Sequence, residues 1–291
     1  MQEFSYGKAT IYNISLKYFK KEEDIRMKYK VGFIGCGNMA TAIIGGLINN
    51  AGIKNSDIIV ADISTTATDK IKASLGVASA SNTDVATESD VLFLSVKPQF
   101  YESVISEIKD CISNNQVVVT IAPGKTLEWL GEHLGTQVKI VRTMPNTPAL
   151  VGAGITGVCK NNLVSDDEFT YVMKLLSSFG LAEAIPESLM DACVSVSGSS
   201  PAYVFMFIEA MADAAVADGM PRDKAYKFAA QAVYGSAKMV LDTGKHPAEL
   251  KDMVCSPAGT TIEAVRVLEE KGFRSAVMEA MKACTAKAKG L

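Results

Sequence analysis

The stretch VCSPAGTTIEA, residues 254–264, places two threonines directly after a glycine at the expected start of a helix. Thr260 and Glu263 form the pattern T-x-x-E, which is typical of a capping box, so a helix cap alone accounts for Thr260. Thr261 has no such explanation. Amides in the first turn of a helix bind carboxylates, and a hydroxyl beside them can hydrogen-bond a ring nitrogen. Gly259 and the two threonines therefore form a candidate site for a small acid that contains nitrogen.

A glycine-rich turn in GFIGCGNMA, residues 32–40, is the second candidate site. Gly35, Gly37 and Ala40 fit the dinucleotide-binding pattern G-x-G-x-x-G/A. Gly35 would permit the tight turn, Gly37 would let the backbone approach a pyrophosphate, and Ala40 would let the helix pack closely on the strand. Asn38 and Met39 lie in the same helix start, whose amides would hold the pyrophosphate. A turn with packing roles alone is the alternative. The glycine-rich turn lies in the first strand-turn-helix unit of the chain, and this position favours dinucleotide binding.

Asp62 ends the second predicted strand, in VADIST, where an acid would bind the ribose 2′-hydroxyl of NADH. No arginine follows to receive a 2′-phosphate, so NADH is slightly favoured over NADPH. Ser64, Thr65 and Thr66 could still hydrogen-bond a phosphate, and an exposed acid at a strand end is the alternative for Asp62.

Three further strands end in polar loops, where open parallel sheets bind their ligands. In RTMPNTPA, two prolines stiffen a loop around Asn146, which suits substrate positioning or a purely structural turn. The residues expected to face the cofactor in the other two loops are Ser95, Val96, Lys97, Pro98, Ile121 and Ala122. For Lys97, the alternative is a solvated lysine at a turn.

These loops require a scaffold of alternating strands and helices. Five apolar runs predict strands: KVGFI, SDIIVADIS, SDVLFLSVKP, NQVVVTIAPG and QVKIVRTMP. Helical stretches, such as residues 39–48 and 100–112, separate most of these strands. This alternation predicts an α/β fold, with a Rossmann-type parallel sheet covered by helices on both faces. We expect the dinucleotide-binding domain to span residues 27–187, preceded by a non-catalytic extension at residues 1–26.

An all-α domain is predicted for residues 188–291, where the strand pattern stops. Its first long helix starts at Pro201, with Ser200 as the expected N-cap, and a second helix ends at Gly244. The first helix is apolar almost all the way around, and about 100 residues are too few to bury it. We therefore expect a second subunit to cover it, with burial within its own chain as the alternative.

Composition excludes several classes of function. A net charge of −3 gives no electrostatic footprint for nucleic acid or anionic membrane, and no apolar run reaches the ~18 residues of a membrane span. Six well-separated cysteines and two histidines support neither a metal site nor a disulfide framework. We expect small buried thiols in a reducing, cytoplasmic compartment.

A dinucleotide fold joined to a helical domain favours hydride transfer. The sequence has no Ser-His-Asp set and no histidine within a recognisable site motif. Alcohol and hydroxy-acid dehydrogenases usually need a strong general base, whereas an imine can arrive protonated or take a proton from a modest donor. Hydroxyls and helix-start amides therefore favour the reduction of an imine.

Taken together, these motifs make residues 27–291 resemble the pyrroline-5-carboxylate reductase family. SPAGTTIEA and SGSSPAY are the most diagnostic pieces of the resemblance. The stretches that carry it, in order, are GFIGCGNMA, SVKPQ, RTMPNTPALVGAG, SVSGSSPAYVFMFIEAMADAAVADGMPRDKA and MVCSPAGTTIEAVRVLEEKGFRSAVMEA.

This resemblance implies NAD(P)H-dependent reduction of L-1-pyrroline-5-carboxylate to L-proline, the last step of proline synthesis. It also implies a homodimer that interlocks through the helical domain, with dimers assembling into larger rings. The substrate carboxylate would bind the amides of Gly259, Thr260 and Thr261. Thr261 would contact the ring nitrogen and assist its protonation, with Ser197 and Ser256 as further substrate-side residues.

Four positions depart from the pattern of the family. Ser200 stands where many members carry glycine, and Met253 stands where some carry a cofactor-binding asparagine. Gly244 replaces a glutamate that some members place near the substrate, and Pro123 replaces a usual small residue beside the cofactor. The contacts made by that asparagine and that glutamate are therefore not expected here.

Two other readings remain open. A β-hydroxyacid dehydrogenase shares the same domain plan, but Lys224 and Lys227 lack the sequence context of its catalytic lysine. A non-catalytic dinucleotide-binding protein would bind cofactor without turnover, and the intact SPAGTTIEA argues against it.

Overall fold

A sheet of eight strands followed by a run of helices makes up the computed structural model, which describes residues 27–290. The proposed extension at residues 1–26 lies outside that range. The strands are β1 (Tyr29–Ile34), β2 (Ile58–Ala61), β3 (Ala78–Ser79), β4 (Ser89–Leu94), β5 (Val117–Thr120), β6 (Lys139–Met144), β7 (Gly154–Lys160) and β8 (Gly180–Ala184). Their order is β3-β2-β1-β4-β5-β6-β7-β8, and only the pair β6–β7 is antiparallel.

The antiparallel pair departs from the wholly parallel sheet predicted from the sequence. Only residues 145–153 connect β6 to β7. A parallel return requires a crossover of about a dozen residues or more, so this connection reverses the chain instead. The five predicted strands are β1, β2, β4, β5 and β6. Three further strands were not predicted: the two-residue β3, the glycine-containing β7 and the exposed edge strand β8.

Helices cover both faces of the sheet, as the strand-helix alternation predicts. Phe33 of β1 stacks on Phe93 of β4 with ring centroids 4.7 Å apart in one core, whereas Ile34 enters the core on the opposite face. Two apolar cores explain why the central strands are continuous apolar runs. The covering helices are α1 (Asn38–Asn50), α2 (Thr65–Leu75), α3 (Asn82–Glu88), α4 (Tyr101–Ile108), α5 (Leu127–Leu134) and α6 (Asp166–Leu176).

From Glu187 to Gly290 the chain contains no strand. α8 packs against α9, and α12 packs against a π-helical segment, Val194–Gly198, that joins α7 to α8. The helices are α7 (Met190–Cys193), α8 (Ser200–Ala217), α9 (Arg222–Thr243), α10 (Pro247–Val254), α11 (Thr260–Glu270) and α12 (Phe273–Ala288). Gly244 ends α9 in the left-handed conformation, φ 62°, as predicted.

The start of α8 differs from the prediction that Ser200 is its N-cap. Ser199 is the flanking residue, and Ser200 lies in the first turn, where its Oγ donates to Val196 O over 2.6 Å. An N-cap residue needs an extended backbone before the helix. The chain enters α8 directly from the π-helical segment, so no such residue is present.

The helical region leaves a large apolar surface uncovered in the single chain. Ala212 is the only buried residue of α8, while Phe205 and Met206 are 62% and 68% exposed. Contrary to the run-length estimate from the sequence, the continuous helical stretch Glu187–Ala217 is long and apolar enough to cross a membrane, by length and composition only. The same length and composition suit a helix that is covered by another protein chain.

Candidate active site

The turn between β1 and α1 has the geometry expected of the first glycine in the pattern. Gly35 has a φ of 106°, and a Cβ there would lie 2.6 Å from the carbonyl carbon and oxygen of Ser95. Ser95 Oγ donates to the carbonyl oxygens of Gly35 at 2.7 Å and Ile34 at 3.1 Å. The end of β4 therefore holds the turn, and only glycine fits at residue 35.

Gly37 precedes the first residue of α1 and faces open space. A Cβ added to it would meet no atom of the described residues within 4 Å. Asn38 is exposed and Met39 is half-buried at the helix start, while Ala40 is 1% exposed and packs in the core. Free amides at the start of a helix, next to open space, suit the pyrophosphate of a dinucleotide.

Asp62 serves the same loop from the end of β2. Its Oδ2 accepts a hydrogen bond from the backbone N–H of Cys36 at 2.7 Å, and its Oδ1 accepts one from Ser64 N–H at 2.8 Å. Asp62 therefore does not point freely into solvent. Ile63 beside it is fully exposed, an apolar side chain that the sequence analysis did not single out.

Cys36 has a packing role in this loop. Burial, together with the nearby Asp62 carboxylate, raises the pKa of its thiol to about 12, and its Sγ donates to Ala61 O at 3.5 Å. The thiol is therefore protonated at neutral pH and is no nucleophile. All six cysteines are free, but only Cys36 and Cys159 are buried as predicted; the other four are half-buried.

The loops after β4 and β5 are tied together beneath their exposed residues. Buried Tyr101 donates from its hydroxyl to Leu94 O at 2.7 Å and lies 2.7 Å from Thr120 Oγ1. Ile121 N–H donates to Leu94 O at 3.4 Å. Of the predicted cofactor residues here, Ala122 is buried, Lys97 is exposed, and the others are half-buried: Ser95, Val96, Pro98 and Ile121.

Asn146, in the loop after β6, connects the sheet to the helical region. It is 7% exposed; its Oδ1 accepts from Ile155 N–H at 2.9 Å and its Nδ2 donates to Ser197 O at 3.0 Å. Ser197 lies in the π-helical segment, and its Oγ donates to Cys193 O at 3.0 Å. The loop thus places Ser197 at the carboxyl end of β6.

The start of α11 contradicts the predicted capping box. Gly259 is the N-cap, with φ −77° and ψ 169°, and makes no side-chain cap, while Thr260 is already helical. The Glu263 carboxylate instead pairs with Arg266 at 2.7 Å. Because the N-cap residue precedes the helix with an extended backbone, and Gly259 has that conformation, the helix begins one residue earlier than a Thr260 cap requires.

Both threonine hydroxyls in this segment are unengaged. Neither Thr260 Oγ1 nor Thr261 Oγ1 makes a hydrogen bond within the part of the chain that the structure describes. Thr260 is exposed and Thr261 is half-buried. Gly259 N–H donates to Ser256 O at 3.1 Å, and Ala258 before it has a φ of 54°. The segment presents first-turn amides and two hydroxyls to a ligand.

Within one chain, the structure brings only part of the predicted site together. The residues around Gly35, Asp62 and Ser95 share one edge of the sheet, and Asn146 joins Ser197 to that edge. α11 packs principally against α12, and residues 256–261 make no hydrogen bond to the sheet among the residues described.

Comparisons with known proteins agree with this arrangement. Residues 187–291 match the family model for pyrroline-5-carboxylate reductase dimerisation, and residues 30–124 match the model for NADP oxidoreductase, coenzyme F420-dependent. The pyrroline-5-carboxylate reductase of Escherichia coli is 55% identical over 269 residues, which cover 91% of this chain and 99% of the relative. The enzyme of Methanosarcina acetivorans is 41% identical, over 90% of this chain and 97% of its own.

Solved structures show the same fold over about nine tenths of the chain. The enzyme from Coxiella burnetii aligns with a TM-score of 0.83 at 34% identity, covering 90% of this chain and 98% of its own. A Plasmodium falciparum pyrroline carboxylate reductase with NADP bound gives a TM-score of 0.82 at 33% identity, covering 91% and 98%. With both domains matched and relatives this similar, the chain belongs to the pyrroline-5-carboxylate reductase family.

Proposed function

We infer that this protein is a pyrroline-5-carboxylate reductase, which uses NAD(P)H to reduce the imine of L-1-pyrroline-5-carboxylate to L-proline. One observation carries the inference at the level of the site. The segment 256–261 leaves the hydroxyls of Thr260 and Thr261 unengaged beside free first-turn amides. A cyclic imino acid offers a carboxylate to those amides and a ring nitrogen to a hydroxyl.

The cofactor would be held by the turn between β1 and α1. Open space at Gly37 leaves room for the pyrophosphate against the amides of α1, and Gly35 keeps the turn tight. When bound, the reduced nicotinamide supplies the hydride. Ser95, Ile121 and Ala122, at the ends of β4 and β5, are the proposed neighbours of its nicotinamide side, with Val96, Lys97 and Pro98 beside them.

The chain's own chemistry is binding and proton delivery. The amides of Thr260 and Thr261 would fix the substrate carboxylate, since the helix dipole favours negative charge there. The third predicted amide, that of Gly259, already donates to Ser256 O. Thr261 Oγ1 would hydrogen-bond the ring nitrogen and favour its protonated form, which makes the imine carbon a better hydride acceptor. Ser197 and Ser256 are the further substrate-side residues.

Asp62 supports a slight preference for NADH. A carboxylate at the end of β2 repels a 2′-phosphate, and no arginine lies in the following turn to offset it. The NADP bound to the Plasmodium relative is the reason to measure both cofactors.

A homodimer is proposed through the helical domain, consistent with the dimerisation model that matches residues 187–291. Exposed apolar side chains on α8 would form its interface, with Phe205 and Met206 the most exposed. α9 carries a second set, including Phe228 and Leu241 at 66% and 71% exposure, which supports assembly of dimers into a larger ring. We propose a cytoplasmic location without membrane or nucleic-acid contact.

Steady-state kinetics test the proposal directly. NADH and NADPH absorbance would be followed with and without pyrroline-5-carboxylate, and the product would be identified as proline. Substrate-dependent oxidation that yields proline is expected. Cofactor binding without turnover would favour the non-catalytic alternative, and turnover of a 3-hydroxy acid alone would favour the dehydrogenase.

A further inference from the structure

The hydrogen bond from Asn146 to Ser197 O takes the place of a backbone hydrogen bond that this sequence cannot form. In an α-helix the carbonyl of residue 197 would accept from the N–H of residue 201. Residue 201 is proline, which has no N–H. The buried Ser197 carbonyl therefore needs another donor, and Asn146 Nδ2 supplies it at 3.0 Å from across the domain boundary.

Asn146 is itself fixed from the other side. Its Oδ1 accepts from Ile155 N–H at 2.9 Å, so the amide is oriented by the start of β7. With both ends of the amide bonded and the residue 7% exposed, rotation would break one buried and one partly buried hydrogen bond. Asn146 thus links the start of β7 to the π-helical segment and fixes the position of that segment relative to the sheet.

Close packing next to this bond brings the sheet against the π-helical segment and the end of α7. A Cβ on Gly198 would lie 2.8 Å from the methyl group of Met144, which ends β6. A Cβ on Gly157 of β7 would lie 2.7 Å from Cys193 Sγ. Glycines at these two positions permit the helix and the sheet to approach each other more closely than side chains would allow.

We propose that Asn146 is a positioning residue for the imine. It sets where Ser197 and the helices behind it lie relative to the carboxyl edge of the sheet, without contacting substrate or cofactor. This inference rests on the proposed function. A displacement of about 1 Å between reacting groups can cost about 100-fold in rate, so one bond at this junction controls the chemical step.

The Asn146→Asp variant tests the proposal because it changes one atom of the junction. The substituted side chain keeps an acceptor for Ile155 N–H but presents an oxygen to the Ser197 carbonyl, which repels it. We expect kcat/KM for pyrroline-5-carboxylate to fall about 10- to 100-fold. The Kd for NADH, from fluorescence titration, should stay within about twofold. The isotope effect with deuterated NADH should rise, because hydride transfer becomes more rate-limiting.

Asn161 provides a matched control with the same pair of bonds. Its Oδ1 accepts from Ile140 N–H at 3.2 Å and its Nδ2 donates to Val138 O at 2.9 Å, so all its partners lie within the sheet domain. Asn161→Asp should lower the thermal unfolding midpoint to a similar degree. Its imine kinetics and isotope effect should match those of the unsubstituted enzyme.

The outcomes separate the two claims. If the unsubstituted enzyme does not turn over pyrroline-5-carboxylate, the proposed function fails. If it does, and Asn146→Asp behaves like Asn161→Asp in kcat/KM and isotope effect, the positioning role is wrong. Equal weakening of imine and NADH binding by Asn146→Asp would also overturn it. Should Asn146→Asp not fold, Asn146→Ser keeps a smaller hydrogen-bonding group, and the same comparisons apply.

Discussion

The backbone N–H of Cys36 donates to Asp62 Oδ2 over 2.7 Å, which ties the glycine-rich turn to the end of β2. The acid expected to recognise the cofactor ribose therefore also shapes the loop expected to hold the pyrophosphate. Each carboxylate oxygen can accept more than one hydrogen bond, so both roles are compatible. The two roles respond differently to substitution.

Asp62→Asn should shift cofactor preference towards NADPH. The amide oxygen keeps the hydrogen bond from Cys36 N–H, the bond from Ser64 N–H is lost, and the charge that repels a 2′-phosphate is removed. We expect the ratio of kcat/KM for NADPH to that for NADH to rise about tenfold, equivalent to about 1.4 kcal/mol. Asp62→Ala should instead weaken both cofactors, because the loop loses its anchor. Asp69→Asn, on exposed α2 surface, controls for net charge; an equal shift in that variant would contradict the role of Asp62.

Thr261→Ala should lower turnover about 30- to 1,000-fold, the effect of losing about 2–4 kcal/mol of transition-state stabilisation. Thr260→Ala should lower it far less, since only the amide of Thr260 is assigned a role. Both variants should unfold at the temperature of the unsubstituted protein, because neither hydroxyl has a hydrogen-bond partner among residues 27–290. Thr261→Ser should recover most of the rate. Unchanged turnover in Thr261→Ala would remove Thr261 from the mechanism.

Ala258→Gly should stabilise the protein by about 0.5–1 kcal/mol. Ala258 is the only non-glycine residue with a positive φ, 54°, among those described, and this conformation costs an L-residue about 1–2 kcal/mol. The greater freedom of glycine in the unfolded chain offsets part of the gain. Ala264→Gly, within α11, is the control and should destabilise by about 1 kcal/mol. Chemical denaturation measures both; a loss of stability in Ala258→Gly would refute the strain.

Thr156→Val should be neutral or stabilising by about 1 kcal/mol. Thr156 Oγ1 is buried and has no hydrogen-bond partner in the described part of the chain, so valine of the same shape removes an uncompensated polar group. Thr143 is the matched control: it is also 1% exposed, but its Oγ1 donates to Thr120 O at 2.8 Å. Thr143→Val should destabilise by about 1 kcal/mol. Equal losses in the two variants would indicate that Thr156 has a partner such as bound water.

Phe205→Asp should dissociate the homodimer or prevent its assembly. A charge at the centre of an apolar interface is desolvated without a partner and costs several kcal/mol. Leu181→Asp, on the exposed edge strand β8, introduces the same charge outside the helical domain and should leave the mass unchanged. Light scattering measures the mass of each variant. A dimer that survives Phe205→Asp at low concentration would place the interface elsewhere.

Local patterns explain what the sequence predicted correctly. The glycine-rich turn depends on a strand, two glycines and a helix that follow one another within about ten residues, so its geometry is encoded locally. The same holds for the end of α9 at Gly244 and for the five apolar strands. The residue types alone favoured an imine as the substrate. The resemblance to a known family then identified the family and, through it, the particular imine.

Tertiary structure decided the features that depend on distant segments. The reversal of β7 follows from a short connection, and the cap of α8 was mispredicted because a π-helical segment precedes it. Pairs such as Cys36–Asp62 and Asn146–Ser197 join residues that are 26 and 51 positions apart. The sequence alone identified the two threonines after Gly259, while the folded chain showed that Gly259 occupies the N-cap position. Backbone conformation determines which residue caps a helix, and tertiary packing determines which partners a side chain has. Residue types alone therefore could not assign the cap residues or the hydrogen-bond partners.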